Sequence, residues 1–200
     1  MEAVATLVQH ICNGTLPIQL REYILPSNLI PLTKLNGGIR PIAIGEIFWR
    51  ASTNYILQQQ RDTIRQVLSP HQFGCAVPGG TEHVIHTLQT IHEDNTHQCA
   101  AISLDFTNAF NSLNRSFMLQ QLYNEPRLQS LWKITSWGYS SSSALYIINN
   151  NETLLSTNGV RQGDPLGCLL LQMPLHMVYI NQWHQPTHWL NVMLYWMTFA

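Results

Sequence analysis

Charge is what this sequence has least of. Asp, Glu, Lys and Arg make up 10% of its 200 residues, against about 25% in an ordinary soluble domain. The formal net charge of −1 excludes the global basic footprint of a dedicated nucleic-acid-binding domain. After Asp164 there is no Asp, Glu, Lys or Arg at all. The four cysteines, Cys12, Cys75, Cys99 and Cys168, are scattered without a C-x-x-C pair, which excludes a disulfide framework and makes a reduced setting the default. His83 and His86 stand three apart, but no acid or cysteine completes a known zinc spacing. Apolar runs are short too: Gln172, Pro174, His176, Asn181 and Gln182 interrupt the tail before the roughly 18 residues a membrane span needs. The N-terminus lacks the basic start and apolar core of a signal peptide. These absences lead to the expectation of an intracellular chain, cytoplasmic or nuclear, with no membrane partner.

What is present is enough apolar material for a core, with 45% hydrophobic and 10% aromatic residues. That supports one domain or part of a larger one. Residues 1–70 carry six bases (Arg21, Lys34, Arg40, Arg50, Arg61, Arg65) against four acids, and the remainder four bases against seven acids. The charge-free tail, rich in Trp and Met, reads as core whose covering layer is missing. The expectation is a chain cut short.

Local patterns outline the elements. Residues 1–12 suit a short helix, and residues 24–32 are apolar but punctuated by prolines, which suits extended edge segments. Lys34 to Ile44, centred on Asn36-Gly37, reads as a hairpin. Apolar residues from Glu46 to Leu68 fall at helical spacing, in one or two helices stopped by Ser69-Pro70. Thr81 is a candidate cap for a helix with Val84, Ile85, Leu88 and Ile91 on one face. Asn111 or Asn114 can cap a helix to about Tyr123, and a further helix from Leu128 would end at Gly138. A second hairpin is expected over 144–148 and 153–155. Residues 158–167 form a tight glycine loop, with Asp164 as N-cap and Pro165 at the first position of a helix kinked at Pro174. Residues 192–199 close the chain as an apolar run.

The chemistry centres on residues 99–110. Small apolar residues from Ala100 to Leu104 read as a buried strand ending on Asp105. A carboxylate there is a helix cap or turn acid, or a metal ligand on a rigid element, where magnesium takes hard oxygen donors. Lys34 and Arg40 would stand on the two arms of their hairpin, either as solvated cations or within reach of one anion. Phe110, five residues after Asp105, reads as a core aromatic anchoring the helix that follows.

Three segments, in this order, resemble the reverse transcriptases of non-LTR retroelements. Leu32-Thr33-Lys34 with Gly37-Gly38-Ile39-Arg40-Pro41-Ile42-Ala43 looks like the family's fingers hairpin. Leu104-Asp105-Phe106-Thr107-Asn108-Ala109-Phe110-Asn111 is similar to its first catalytic palm motif. Gly159-Val160-Arg161-Gln162-Gly163-Asp164-Pro165-Leu166-Gly167 resembles the next, and Gln72-Phe73-Gly74 with Gly79-Gly80-Thr81-Glu82 resembles the connecting region.

The resemblance implies an α+β fold, a partial right-hand polymerase with fingers plus a palm built on an antiparallel sheet with packed helices. Fingers would occupy about 24–95 and an incomplete palm about 96–200. It implies RNA-directed DNA polymerase chemistry on an RNA template, a DNA primer and dNTPs, with magnesium as cofactor. Asp105 would be the catalytic metal ligand, with Phe106 lending its backbone carbonyl. Lys34 and Arg40 would neutralise the triphosphate. Phe110 would pack under the sugar and disfavour a 2′-hydroxyl, and Gln162 and Gly163 would line the nucleotide pocket.

The chain also departs from the family. The expected Asp-Asp pair is missing, and the sequence stops at Met197-Thr198-Phe199-Ala200, where Phe-Ala often precedes that pair. Either the chain stops just before its second metal ligand, or the reading frame drifted. One carboxylate cannot hold two cations about 3.5–4 Å apart, so weak magnesium binding and an inert chain are expected. The alternative is a non-catalytic remnant that binds nucleic acid through Arg50, Arg61 and Arg65, or a pseudogene product.

Overall fold

The computed structural model of the chain describes residues 2–35, 37–94, 106–148 and 152–183, with side chains to residue 178. The expected strand over 100–104, Asp105 at its end, the turn at 149–151 and the apolar run 192–199 lie outside these residues. The fold is α+β. It begins with α1 (Glu2–Cys12), a 3-10 turn (Ile18–Leu20) and a single-turn α2 (Arg21–Ile24). The strands β1 (Ser27–Thr33) and β2 (Ile39–Gly45) follow, then α3 (Ile47–Gln59), α4 (Arg61–Leu68) and α5 (Gly80–Glu93). A short α6 (Ala109–Ser112), α7 (Arg115–Tyr123) and α8 (Gln129–Tyr139) precede β3 (Ser143–Ile147), β4 (Thr153–Ser156) and α9 (Gly167–Trp183).

The four strands form one sheet in the order β2-β1-β3-β4. Each hairpin is antiparallel as expected, with Ser27 opposite Gly45 and Ser143 opposite Ser156. The seam between them is parallel, with Ser27 beside Leu145 and Leu29 beside Ile147, so the sheet is mixed. The two hairpins therefore share one sheet. The first hairpin turns tightly: Lys34 N–H donates to Gly38 O, Gly37 N–H donates to Lys34 O, and Gly37 takes φ +82°. The left-handed backbone at Gly37 is one that glycine adopts without strain.

Side chains alternate across a strand. One face puts Ser27, Ala43, Ser143 and Ser156 into the interior. The opposite face leaves Leu32, Ile44, Tyr146 and Leu155 exposed. Behind the buried face, α7 packs on both α8 and α9, and α1 packs on α3 and α8. Met118 and Leu122, Leu131 and Ile134, and Leu169 and Met173 meet there fully buried.

Local chemistry accounts for several boundaries. Asn114 caps α7, its side chain accepting from Phe117 N at 2.9 Å. The run 46–68 divides into α3 and α4 at Gln60. Two expectations change. Gly138 does not end α8, which continues to Tyr139; it lies buried against Trp49, whose Cη2 would be 2.2 Å from any added Cβ. The helix after the connecting loop starts at Gly80 with Gly79 as N-cap, placing Thr81 within its first turn, and of the four expected face residues only Val84 is buried.

The charge-free α9 is explained by its surroundings. Leu169, Leu170, Leu171, Gln172 and Met173 are consecutive and all buried, which is the pattern of a helix enclosed on every side. Gln172 takes a hydrogen bond from Gln72, fastening α9 to the loop before α5. The helix continues through Pro174, which removes one intrahelical donor. Among the described residues no helix is long and apolar enough to cross a membrane.

Candidate functional site

Two oppositely charged residues organise the loop between β4 and α9. The side chains of Arg161 and Asp164 are each 2% exposed and pair at 2.8 Å. Ions removed from water survive only when paired and hydrogen-bonded, and this pair is surrounded. Asp164 Oδ2 accepts from Trp49 Nε1 at 2.8 Å, from the Tyr139 hydroxyl at 2.7 Å and from Arg161 Nη2. Asp164 Oδ1 accepts from Leu166 N at 3.0 Å. Because α9 begins only at Gly167, Asp164 is not its N-cap and Pro165 is not its first residue, contrary to the expectation from the sequence; the carboxylate instead closes the turn that leads into the helix. Arg161 Nη1 donates to Leu25 O at 2.6 Å, and the guanidinium lies over the Tyr139 and Trp49 rings at 4.8 and 5.4 Å. Burial pulls the Arg161 pKa down, but Tyr139 and Asp164 more than offset it and hold it above its ordinary value. The Tyr139 phenol is raised by burial, with the Asp164 charge adding to it.

Gln162 and Gly163 sit between these two anchors and are pressed against β2. Gln162 O accepts from Ala43 N at 2.7 Å. Gly163 has φ +110°, and a Cβ there would stand 2.8 Å from Ala43 O. Only glycine permits both the backbone conformation and that approach. The same would-be Cβ lies 3.1 Å from Ile42 Cγ2. Ile42 and Arg40 share a sheet face by alternation, with Leu32 opposite Arg40 on the same face. Arg40 is half-buried and Lys34 exposed at the hairpin end.

The loop's other flank holds α6. Val160 N donates to Phe110 O at 2.7 Å and Gly159 N to Leu113 O at 2.9 Å. The half-buried Phe110 ring packs 3.5 Å from where a Cβ on Gly167 would stand. Arg115 closes this side, donating to Gly159 O at 2.8 Å and to Ser156 Oγ at 2.7 Å. Burial lowers the Arg115 pKa.

Of the residues singled out from the sequence, Gln162, Gly163 and Phe110 thus belong to or touch one loop, and Arg40 stands two positions along β2 from Ile42, which that loop approaches. Lys34 lies just past the end of β1, Phe106 is exposed, and Asp105 lies outside the described residues. Among the described residues no group of three His, Cys, Asp or Glu side chains could hold a metal ion. Arg50, Arg61 and Arg65 are exposed. Arg50 lines a shallow pocket with Ser27, Asn28, Glu46 and Tyr146 at the end of the sheet.

Sequence reasoning missed Trp49, Tyr139 and Arg115, whose partners are remote in the chain. Arg161 and Asp164 both lie within the glycine-loop motif, but closer opposite-charge neighbours such as Arg21-Glu22 and Arg61-Asp62 gave no reason to single out their pairing. The scattered cysteines also hid a contact, since Cys75 hydrogen-bonds Cys168, which raises the Cys75 thiol pKa. Cys168 Sγ also lies 3.6 Å from Gly74 O.

The fold and this loop define a partial fingers-and-palm unit. Compared with known families, residues 31–197 match the reverse transcriptase (RNA-dependent DNA polymerase) family. The chain is 27% identical over 173 residues to the retrotransposable element SLACS 132 kDa protein of Trypanosoma brucei gambiense. That match covers 85% of this chain and 14% of the relative. The chain belongs to the reverse transcriptase family.

Proposed function

We propose that this chain forms the nucleotide-receiving part of an RNA-directed DNA polymerase, with residues of about 24–95 acting as fingers and those of about 96–200 as part of the palm. The observation that carries this reading is the seating of Gln162-Gly163 against β2, the strand that bears Arg40. Lys34 and Arg40 neutralise the triphosphate of an incoming dNTP, since phosphoryl-transfer sites work chiefly by positioning and charge compensation. Gln162 and Gly163 line the pocket, and Phe110 lies under the sugar, where its ring excludes a 2′-hydroxyl. Arg50 with Tyr146 offers the cation and aromatic face that single-stranded templates use.

Magnesium is the metal the family implies. Asp105 and the Phe106 carbonyl would offer one carboxylate and one neutral oxygen. Two-metal transfer needs more than this donor set. Asp164, the acid of the adjoining loop, has both oxygens committed to protein donors. These residues alone do not make a complete two-ion site. The 200 residues by themselves are therefore expected to bind substrate without turning it over.

A primer-extension assay on the 200-residue chain, with magnesium, an RNA template and a DNA primer, tests this. No incorporation is expected, alongside retention of template–primer in a filter-binding assay that weakens with added salt. Robust synthesis, or no retention at low salt, would overturn the proposal.

A further inference from the structure

The loop that meets both β2 and α6 is held from behind by side chains with no place in the nucleotide site. Trp49 comes from α3 and Tyr139 from the end of α8, and both donate to the same oxygen of Asp164, at 2.8 and 2.7 Å. That oxygen also receives Arg161. The two members of this ion pair immediately flank Gln162-Gly163. Displacing either one moves the pair of residues between them.

We infer that Trp49 and Tyr139 are positioning residues: acting through Asp164 and Arg161, they fix the Gln162-Gly163 turn against β2 and Phe110 against the same loop. The inference rests on the nucleotide-site reading for its functional meaning. Its structural content is independent, because Ala43 N–H to Gln162 O reports the seating directly. The indole and phenol donors are suited to the task. Each belongs to a large buried ring, so its atom is placed by packing and loses little freedom on bonding. Tyr139 is 1% exposed and Trp49 1%. The close approach of Gly138 to Trp49 fixes that ring further, since no side chain separates α8 from it.

Amide hydrogen exchange on the intact chain decides this, using Tyr139→Phe and Trp49→Phe, which keep an aromatic ring but remove the donor. Loss of one such bond should raise exchange at the Ala43 amide about two- to tenfold. Amides of α7 from Met118 to Leu122, which take no part in the hydrogen bonds of Trp49 and Tyr139 to Asp164, should keep wild-type rates. The same variants should weaken dNTP binding by a similar factor and leave retention of an RNA oligonucleotide unchanged. Unaltered exchange at Ala43, or an equal rise at Ala43 and in α7, overturns the inference. If the wild-type chain binds no dNTP, the nucleotide-site reading fails, while the exchange at Ala43 still decides the positioning claim. Should Trp49→Phe fail to fold, Tyr139→Phe carries the test alone.

Discussion

Trp49 Nε1 reaches Asp164 Oδ2 at 2.8 Å, joining residues 115 apart in the chain. The bond runs from α3 to the loop that leads into α9. It matters because Asp164 neutralises Arg161 inside the protein, and everything that fixes the carboxylate also fixes the guanidinium.

Asp164→Ala leaves that guanidinium buried with no counter-charge. A loss of about 3–5 kcal/mol is expected, read as a lowered urea midpoint or as failure to fold. Replacing the pair together, Arg161→Met with Asp164→Leu, should be less damaging than the single change, because no ion is then left alone.

Gly138→Ala should destabilise by about 1–3 kcal/mol through overpacking against the Trp49 ring. On an exposed helix the same change would stabilise by up to about 1 kcal/mol. The sign of the shift in urea midpoint therefore reads the contact.

Asn114→Ala removes the α7 cap and should cost about 1 kcal/mol. An unchanged urea midpoint would contradict the assignment of that helix start.

His176 gives the chain a pH dependence. Its ring is buried, and burial, followed by the nearby His71, pulls its pKa below the usual value, against smaller upward contributions from a Val67 backbone hydrogen bond and Glu125. The folded state therefore resists protonating it, while the unfolded chain takes up a proton near pH 6.5. This contribution is present above that pH and is lost as pH falls below it. Thermal melts from pH 7.5 to 5 should show a smaller fall for His176→Gln than for wild type; identical slopes would contradict this.

Local chemistry made part of this structure legible. The Asn114 cap and the two antiparallel hairpins are each written within a few residues. The parallel seam between Ser27 and Leu145 is not, because nothing near either residue names its neighbour. Helix α9 carries no amphipathic period, since residues 169–173 are enclosed on every side. The site divides the same way: motif residues announce Arg40, Gln162 and Gly163, whereas Trp49 and Tyr139 acquire their role only when α3 and α8 fold onto one carboxylate.

On the proposed function, Arg40 of β2 and the Gln162-Gly163 turn form one nucleotide-binding surface. Titration of the 200-residue chain with a dNTP, comparing wild type with Arg40→Ala, tests it most directly. Saturable binding that weakens about tenfold or more on loss of the guanidinium is the predicted result. No binding by the wild-type chain, or equal affinity in the variant, would contradict it.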